Sequence, residues 1–110
     1  MIDYDAFAKV DIRSGVIVKI EPFERAKKPA FKVWVDFGSV IGVKQSSAQI
    51  TQNYEPDALL GRQVLGCINL GTKNIAGFQS EFLLLGFEDQ KGAISLATID
   101  PKVPNGQKMC

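Results

Sequence analysis

The chain has 110 residues, of which 45% are hydrophobic and 23% charged; these values favour one folded domain over residues 1–110 and exclude a disordered chain. The formal net charge of +1 excludes a strongly basic field over the whole molecule, so a nucleic-acid ligand would be held by few, well-placed contacts. Histidine is absent, which removes the usual general base and zinc ligand, so we expect no enzyme activity, no metal and no cofactor.

The N-terminal segment shows no targeting signal. Residues 1–5 are acidic and lack the apolar stretch of a secretory signal. No apolar run approaches the ~18 residues of a membrane helix. We therefore expect a cytoplasmic protein without a membrane partner. The two cysteines do not indicate a disulfide framework, and we expect Cys67, in an apolar run, to be a small buried side chain.

The first predicted strand runs from Ile12 to Ile20. Its residues alternate between two faces and are rich in β-branched side chains, a pattern typical of a half-buried strand. One face would hold Ile12, Ser14, Val16, Val18 and Ile20. Gly15 lies inside the strand, where a glycine often marks a bulge or a sharp bend. Such a bend would let the strand pair with different partners at its two ends and curl a small sheet into a barrel.

A predicted loop from Pro22 to Pro29 precedes the clearest strand of the chain, residues 31–37. Apolar and polar residues alternate strictly in this strand, which predicts one core face and one outer face. The core face would hold Phe31, Val33, Val35 and Phe37. Trp34 would lie on the outer face beside Lys32 and Asp36. Gly38-Ser39 predicts a turn, and residues 41–44 predict a third strand.

The second half of the chain predicts short strands joined by turns. Tyr54 to Gly61 favours a short helix, with Pro56 in its first turn and Gly61 just past its end. Strands are predicted over residues 64–70, 82–87 and 93–97, with a loop over 71–80 and a hairpin turn over 88–92. Residues 98–110 predict an irregular tail. Strands are too frequent and helices too few for alternating βαβ units, so a small all-β barrel fits best.

Several motifs in a fixed order carry a resemblance to a known family. Asp11-Ile12-Arg13-Ser14-Gly15 resembles the D-I-R-x-G opening of the tRNA-binding domain family, which includes appendages of tRNA synthetases. The chain most resembles the short stand-alone CsaA-type members, described as secretion-related chaperones. The resemblance extends from about Phe7 to Lys108, and its further motifs are Lys28–Lys32 leading to Asp36–Gly38, Gln45–Thr51, Tyr54 with Leu59-x-Gly61, Ser80–Gly86 and Val103–Lys108.

The resemblance implies a fold, an assembly and two possible ligands. The fold would be a five-stranded oligonucleotide-binding (OB) fold barrel with a short inserted helix and irregular N- and C-terminal extensions. The assembly would be a two-fold homodimer that binds tRNA or other structured RNA. The alternative is an export-related chaperone that binds unfolded polypeptides or the export machinery. The chain departs from its relatives after Asn69, where proline and arginine are scarce and Lys73 is the remaining cation.

Barrels of this class bind single strands or loops across one face, with cations on phosphates and aromatic rings under bases. Motif positions carried over from the family imply nine RNA-binding residues: Lys32, Trp34, Lys44, Ser46, Asn69, Lys73, Phe78, Ser80 and Glu81. Lys44 and Lys73 would flank the groove and contact phosphates, or they are ordinary surface lysines. Trp34 and Phe78 would stack bases, or they pack within the protein; for Trp34 the dimer seam is a further alternative.

The remaining polar candidates also have two interpretations. Ser80 and Glu81 could bond base edges or sugar hydroxyls, or they could form a turn bonded to the backbone before a buried strand. Ser46 and Ser47 lack a base partner, so we do not expect a nucleophile there. The basic cluster of the first half, taken alone, is best explained as a solvated loop; its members are Arg25, Lys27, Lys28 and Lys32.

Apolar residues near both ends of the chain have no role in a predicted strand. We predict that they form the dimer interface, because two-fold pairing joins two short grooves into a longer surface without new sequence. The predicted interface residues are Tyr4, Phe7, Ile99, Val103 and Met109, with Ile2 beside them.

Overall fold

A computed structural model describes residues 1–110 as nine strands and three short helices. The helices are α1 (Tyr4–Ala8), α2 (Gly38–Ile41) and α3 (Pro56–Leu59). The strands are β1 (Ile12–Pro22), β2 (Phe31–Asp36), β3 (Val43–Ala48), β4 (Gln63–Cys67), β5 (Lys73–Ile75), β6 (Phe78–Ser80), β7 (Leu83–Leu84), β8 (Gly86–Glu88) and β9 (Ile94–Leu96).

Five strands form one antiparallel sheet that curls into a nearly closed barrel. The strand order is β3-β2-β1-β4-β7. Strand β1 is central because it is long: residues 12–16 pair with β4, and residues 16–22 pair with β2. The barrel closes where the Glu81 N–H donates to the Gln45 carbonyl oxygen over 2.8 Å. The prediction of a five-stranded all-β barrel of the OB type is confirmed.

The bulge in β1 lies at Val18 and not at Gly15. The pairing register of β1 with β2 shifts between Ile17 and Lys19, so Ile17 is buried in the core and Val18 is exposed. The prediction that Val18 shares a half-buried face with Val16 is therefore wrong. Gly15 matters for packing instead, because a Cβ there would lie 2.5 Å from Val35 Cγ1.

The core lies between β1, β2, β3 and β4. The four predicted core residues of β2 and its end, Phe31, Val33, Val35 and Phe37, are all buried, and Val33 and Val35 are 0% exposed. Phe37 packs edge to face against Phe82, with ring centroids 5.1 Å apart. The prediction for this strand is confirmed, and its core face packs in one cluster with side chains such as Ile17, Val64 and Phe82. Cys67 is also buried, as predicted, and both cysteines are free.

Two predicted elements near the third strand differ in the structure. Residues 38–41 form the helical turn α2, and β3 begins at Val43, so the predicted third strand over 41–44 is displaced. Residues 45–48 of the polar segment that begins at Gln45 belong to β3. Strand β3 is polar because its side chains take part in the hydrogen bonds that close the barrel at one of its edges. The predicted short helix is confirmed as α3, with Leu59 fully buried.

Two predicted elements of the second half are also wrong. The predicted loop over 71–80 contains the hairpin β5–β6, whose two-residue turn places Ala76 and Gly77 at φ of 49° and 86°. The predicted buried strand over 82–87 is divided into β7 and β8. Phe82 is buried, but Leu83 is 51% and Phe87 71% exposed. The hairpin turn over 88–92 is confirmed between β8 and β9, and the predicted strand 64–70 ends at Cys67 as β4.

Both ends of the chain pack against the barrel. The N-terminal extension is not irregular throughout, because Asp3 caps the helix α1 by accepting a hydrogen bond from the Ala6 N–H. The tail returns to β1, where the Gly106 N–H donates to the Ser14 carbonyl oxygen over 2.8 Å. No helix of the protein is long and apolar enough to span a lipid bilayer.

Candidate nucleic-acid interface

The outer face of β1, β2 and β3 carries polar and aromatic side chains. Lys32 and Trp34 alternate with the core residues of β2, so they point away from the core. Directly opposite on β3, Lys32 faces Ser47 and Trp34 faces Gln45; on β1, Trp34 faces Lys19. The register therefore places these five side chains side by side on one surface.

Three aromatic rings, Phe23, Trp34 and Phe78, form a cluster on this face, which we call the aromatic cluster. The ring centroids of Trp34 and Phe78 are 6.0 Å apart, and those of Phe23 and Phe78 are 5.4 Å apart, both edge to face. Phe23 is buried, and the other two rings are partly exposed. The hairpin β5–β6 therefore places Phe78 on this face of the barrel, where part of the Trp34 and Phe78 ring surface is open to a ligand.

Two lysines lie over the aromatic cluster. Lys19 Nζ is 4.7 Å from the Trp34 ring centroid, and Lys32 Nζ is 5.0 Å from the Phe23 centroid and 5.1 Å from the Phe78 centroid. These distances are within the range of a cation–π interaction. Lys19 also forms an exposed ion pair with Glu21 at 3.4 Å, whereas Lys32, which is directly opposite Glu21 in the sheet, forms no ion pair. Positive charge and aromatic surface are thus combined in one place.

Gln45 fixes the cluster to the hairpin. Its side-chain oxygen accepts a hydrogen bond from Trp34 Nε1 at 3.2 Å, and its side-chain nitrogen donates to the Gln79 carbonyl oxygen at 2.9 Å. The sequence alone did not indicate Gln45, Lys19 or Phe23 as part of this surface. Lys19 and Gln45 become visible only from the strand register, and Phe23 follows the end of β1, outside any alternating pattern.

Ser46 and Ser80, two of the predicted contact residues, are buried and bonded within the protein. Ser46 Oγ donates to the Phe82 carbonyl oxygen over 2.7 Å and lies 3.2 Å from Ser80 Oγ. Ser80 Oγ in turn accepts the Ser47 N–H at 3.1 Å. These hydroxyls satisfy the otherwise unpaired edge of β3, so in this arrangement they stabilise the barrel closure.

Glu81 and Asn69 also bond to the backbone. Glu81 Oε1 accepts the Gln45 N–H at 3.0 Å, which adds a second bond to the closure of the barrel. The Asn69 side chain accepts the Asp11 N–H at 3.0 Å and donates to the Lys9 carbonyl oxygen at 2.7 Å. Asn69 therefore connects the end of β4 with the segment that follows α1.

The two remaining predicted cations lie in different surroundings. Lys44 is directly opposite Val35, so it belongs to the core side of the sheet and not to the face of Trp34. Lys73 lines a cavity of about 540 Å³, and Lys44 does not. Most of this cavity is apolar, and its apolar lining is Ala48, Ile50, Leu70, Ile75, Phe82, Leu83, Leu84, Leu85 and Ile94.

The predicted dimer residues lie on α1 and the tail, which are neighbours. Lys108 Nζ donates to the Ala8 carbonyl oxygen at 3.0 Å and joins the two segments. Tyr4, Val103 and Met109 are exposed, and Phe7 and Ile99 are partly exposed. Tyr4 and Phe7 contact each other, with ring centroids 6.4 Å apart.

Comparisons with known proteins agree with this architecture. The model of the family described as "Putative tRNA binding domain" matches residues 12–108. A CsaA chaperone protein from Picrophilus torridus is similar in structure, with 43% identity, a TM-score of 0.94 and coverage of 100% of both chains. The chaperone CsaA of Bacillus anthracis shows 39% identity and a TM-score of 0.93 over 100% of this chain and 99% of the other.

A curated relative is much longer than this chain. The methionine–tRNA ligase of Methanocaldococcus jannaschii is 33% identical over 108 residues, which are 98% of this chain but 16% of the ligase. The barrel defines a small domain of the OB-fold class. With the family model spanning nearly the whole chain, the protein belongs to the tRNA-binding domain family.

Proposed function

We propose that the chain binds tRNA or other structured RNA through the aromatic cluster and its two lysines, and that it catalyses no reaction. The observation that carries this proposal is the combination of three aromatic rings with two ammonium groups at 4.7 to 5.1 Å on the outer face of the barrel. Membership of the tRNA-binding domain family supports the same ligand.

The geometry suggests how an unpaired base would be held. A base that stacks on Trp34 or Phe78 would gain about 1–3 kcal/mol, with little dependence on its identity. Lys19 and Lys32 now lie over the rings that the base would cover. Their long side chains would move aside and meet the flanking phosphates, so stacking and charge neutralisation would occur together.

We also propose a two-fold homodimer in the cytoplasm. Exposed apolar side chains on α1 and the tail support this assembly, since Tyr4 is 74% exposed although it is aromatic. Light scattering at micromolar concentration should give twice the mass of the chain. A monomer mass would exclude the dimer, and Tyr4→Ser/Met109→Ser is expected to lower the mass by half.

The test of RNA binding is a titration with labelled total tRNA at two salt concentrations. We expect wild type to bind and to weaken as salt rises. Trp34→Ala/Phe78→Ala should lose most of the affinity, while Phe87→Ala, which removes an exposed ring elsewhere, should not. Lys44→Ala/Lys73→Ala tests the lysines implied by the family. Absence of tRNA binding by wild type at low salt would reject the proposal.

A second candidate function is binding of unfolded polypeptides, as a chaperone related to protein export. The apolar cavity of about 540 Å³ favours it, because exposed Leu83 and Leu70 form part of its lining. The names of the two CsaA chaperone structures point the same way. Binding of an unfolded model protein that is insensitive to salt and lost in Leu83→Asp would support this function. Equal binding by Leu83→Asp would reject it.

A further inference from the structure

The C-terminal tail contains the one asparagine of the chain that is followed by glycine, in the pair Asn105-Gly106. In such a pair the backbone nitrogen of the glycine can attack the side-chain carbon Cγ of the asparagine, because glycine has no side chain to obstruct the approach. Asparagine is accordingly one of the thermolabile residues of proteins. The other asparagines precede tyrosine, leucine and isoleucine, whose side chains hinder the attack.

Hydrogen bonds from β1 hold both sides of this pair, and we call them the latch. The Gly106 N–H donates to the Ser14 carbonyl oxygen over 2.8 Å, and the Gly106 carbonyl oxygen accepts from Arg13 Nη1 at 3.0 Å. The Ser14 hydroxyl donates to the Pro104 carbonyl oxygen at 2.7 Å and accepts the Gln107 N–H at 3.0 Å. Ser14 is 3% exposed, so its bonds are shielded from water.

The latch protects the nitrogen of Gly106 and not the side chain of Asn105. The Asn105 side chain is half-buried, and none of the latch bonds involves it. The attack requires that the Gly106 nitrogen lose its proton and move towards Asn105 Cγ. Both changes break the bond to the Ser14 carbonyl oxygen, so the reaction requires that the tail first leave β1.

We propose that Asn105 is a deamidation site that the latch keeps closed and that reacts when the tail leaves β1. The Gly106 nitrogen gives its proton to a base in solution and forms a bond with Asn105 Cγ. The bond between Cγ and Nδ2 then breaks, and the amide nitrogen leaves as ammonia. Water opens the resulting cyclic imide at one carbonyl or the other, which leaves aspartate or isoaspartate at residue 105. Water is the only co-reactant.

The isoaspartate product does not fit the docked position of the tail. Isoaspartate adds one methylene group to the main chain, where the backbones are already close. A Cβ on Gly106 would lie 2.6 Å from the Phe37 carbonyl oxygen, and the Asn105 carbonyl oxygen lies 3.0 Å from the position of a Cβ on Gly38. The product therefore holds the latch open. Met109 of the tail belongs to the dimer surface proposed above, so part of that surface would be displaced.

The test follows residue 105 by peptide mass spectrometry while the intact protein is kept at mildly alkaline pH. The urea-unfolded chain gives the rate without protection, and native wild type should react at least about tenfold more slowly. Arg13→Gln and Ser14→Ala each remove latch bonds. They should speed the native reaction about fivefold to thirtyfold, as expected for the loss of one or two hydrogen bonds. Arg13 is partly exposed, so its replacement does not endanger folding.

Ser46→Val is the matched control, because it removes a buried hydroxyl at the barrel closure and leaves the latch intact. It should leave the native rate of deamidation unchanged. If it speeds the reaction as much as Ser14→Ala does, global unfolding exposes the site and the latch is rejected. Native wild type that reacts as fast as the unfolded chain would reject the proposal as well.

Hydrogen exchange tests whether the product holds the latch open. In the docked tail the Met109 N–H donates to the Ile12 carbonyl oxygen over 2.8 Å. The isoaspartate form, separated from the incubated protein, should lose protection of this N–H. Asn105→Asp, which keeps the length of the main chain, should retain it. Equal protection in the two forms would show that isoaspartate docks normally and would overturn this part of the proposal.

Discussion

Two polar regions of the barrel lie on neighbouring strands and differ in how their groups are satisfied. At the closure, Ser46, Ser80 and Glu81 direct their oxygens to each other and to the backbone. On the outer face, the ammonium group of Lys32 lies over two aromatic rings and forms no ion pair. Residue type therefore does not distinguish a ligand-binding side chain from a structural one. A polar side chain is structural when its hydrogen-bond partners lie within the protein, and it is available to a ligand when they do not.

The largest effect on RNA affinity is expected from the outer face. Trp34→Leu/Phe78→Leu keeps apolar bulk but removes the aromatic faces. We expect RNA affinity to fall by about 2–6 kcal/mol if each ring stacks one base at ~1–3 kcal/mol, with a small change in melting temperature. Paired measurements of affinity and thermal unfolding check it. A large loss of stability with unchanged affinity would assign the cluster to packing alone.

At the barrel closure, we expect a substitution to lower stability and to leave RNA affinity unchanged. Ser46→Val removes a buried hydroxyl that bonds the Phe82 carbonyl oxygen and contacts Ser80 Oγ. The Phe82 carbonyl oxygen loses this donor, and Ser80 Oγ keeps only its bond from the Ser47 N–H. The free energy of unfolding should fall by about 1–3 kcal/mol, with unchanged RNA affinity for the molecules that remain folded. Urea unfolding and RNA titration below the transition measure both. A loss of affinity without a loss of stability would instead identify Ser46 as a contact residue.

Glu81 can be replaced by alanine, which removes its carboxylate, or by the isosteric glutamine, which removes its charge. Glu81→Ala removes the acceptor of the Gln45 N–H, and we expect a loss of about 1 kcal/mol of stability. Glu81→Gln keeps a side-chain oxygen in reach and should cost less. Chemical unfolding of both variants gives the order. If both lose stability equally, the negative charge and not the hydrogen bond is what stabilises the closure.

The alternating pattern of β2 was sufficient to predict its core and outer faces, because one of its faces lies entirely in the barrel core. The same reasoning failed in β1, where the bulge at Val18 changes the face of every later residue. The hairpin β5–β6 was missed because its turn is Ala76-Gly77, without the usual Asn-Gly signal. Contacts between residues far apart in the sequence, such as that of Phe23 with Phe78, depend on where this hairpin lies. The local sequence pattern therefore could not predict them.

The smallest expected effect concerns a polar side chain that is exposed and yet fully engaged. Asp89, in the turn between β8 and β9, has a lowered pKa because its carboxylate accepts hydrogen bonds from the Asn53 side chain and from the Lys91 and Ala93 N–H groups. A lowered folded-state pKa contributes stability that is present above the ordinary value of 3.8 and is lost as pH falls through the folded-state value.

Asp89→Asn should therefore lower the melting temperature slightly at neutral pH, and the difference from wild type should shrink as pH falls below 3.8. Thermal unfolding of both proteins across this pH range measures the effect. Asn53→Ala, which removes a bonding partner but no titrating group, should reduce the same pH dependence. A difference in melting temperature that stays constant with pH would mean that the carboxylate charge does not stabilise the turn. In that case, the exposure of a polar side chain would show by itself that the group is free, and its hydrogen-bond partners within the protein would add nothing.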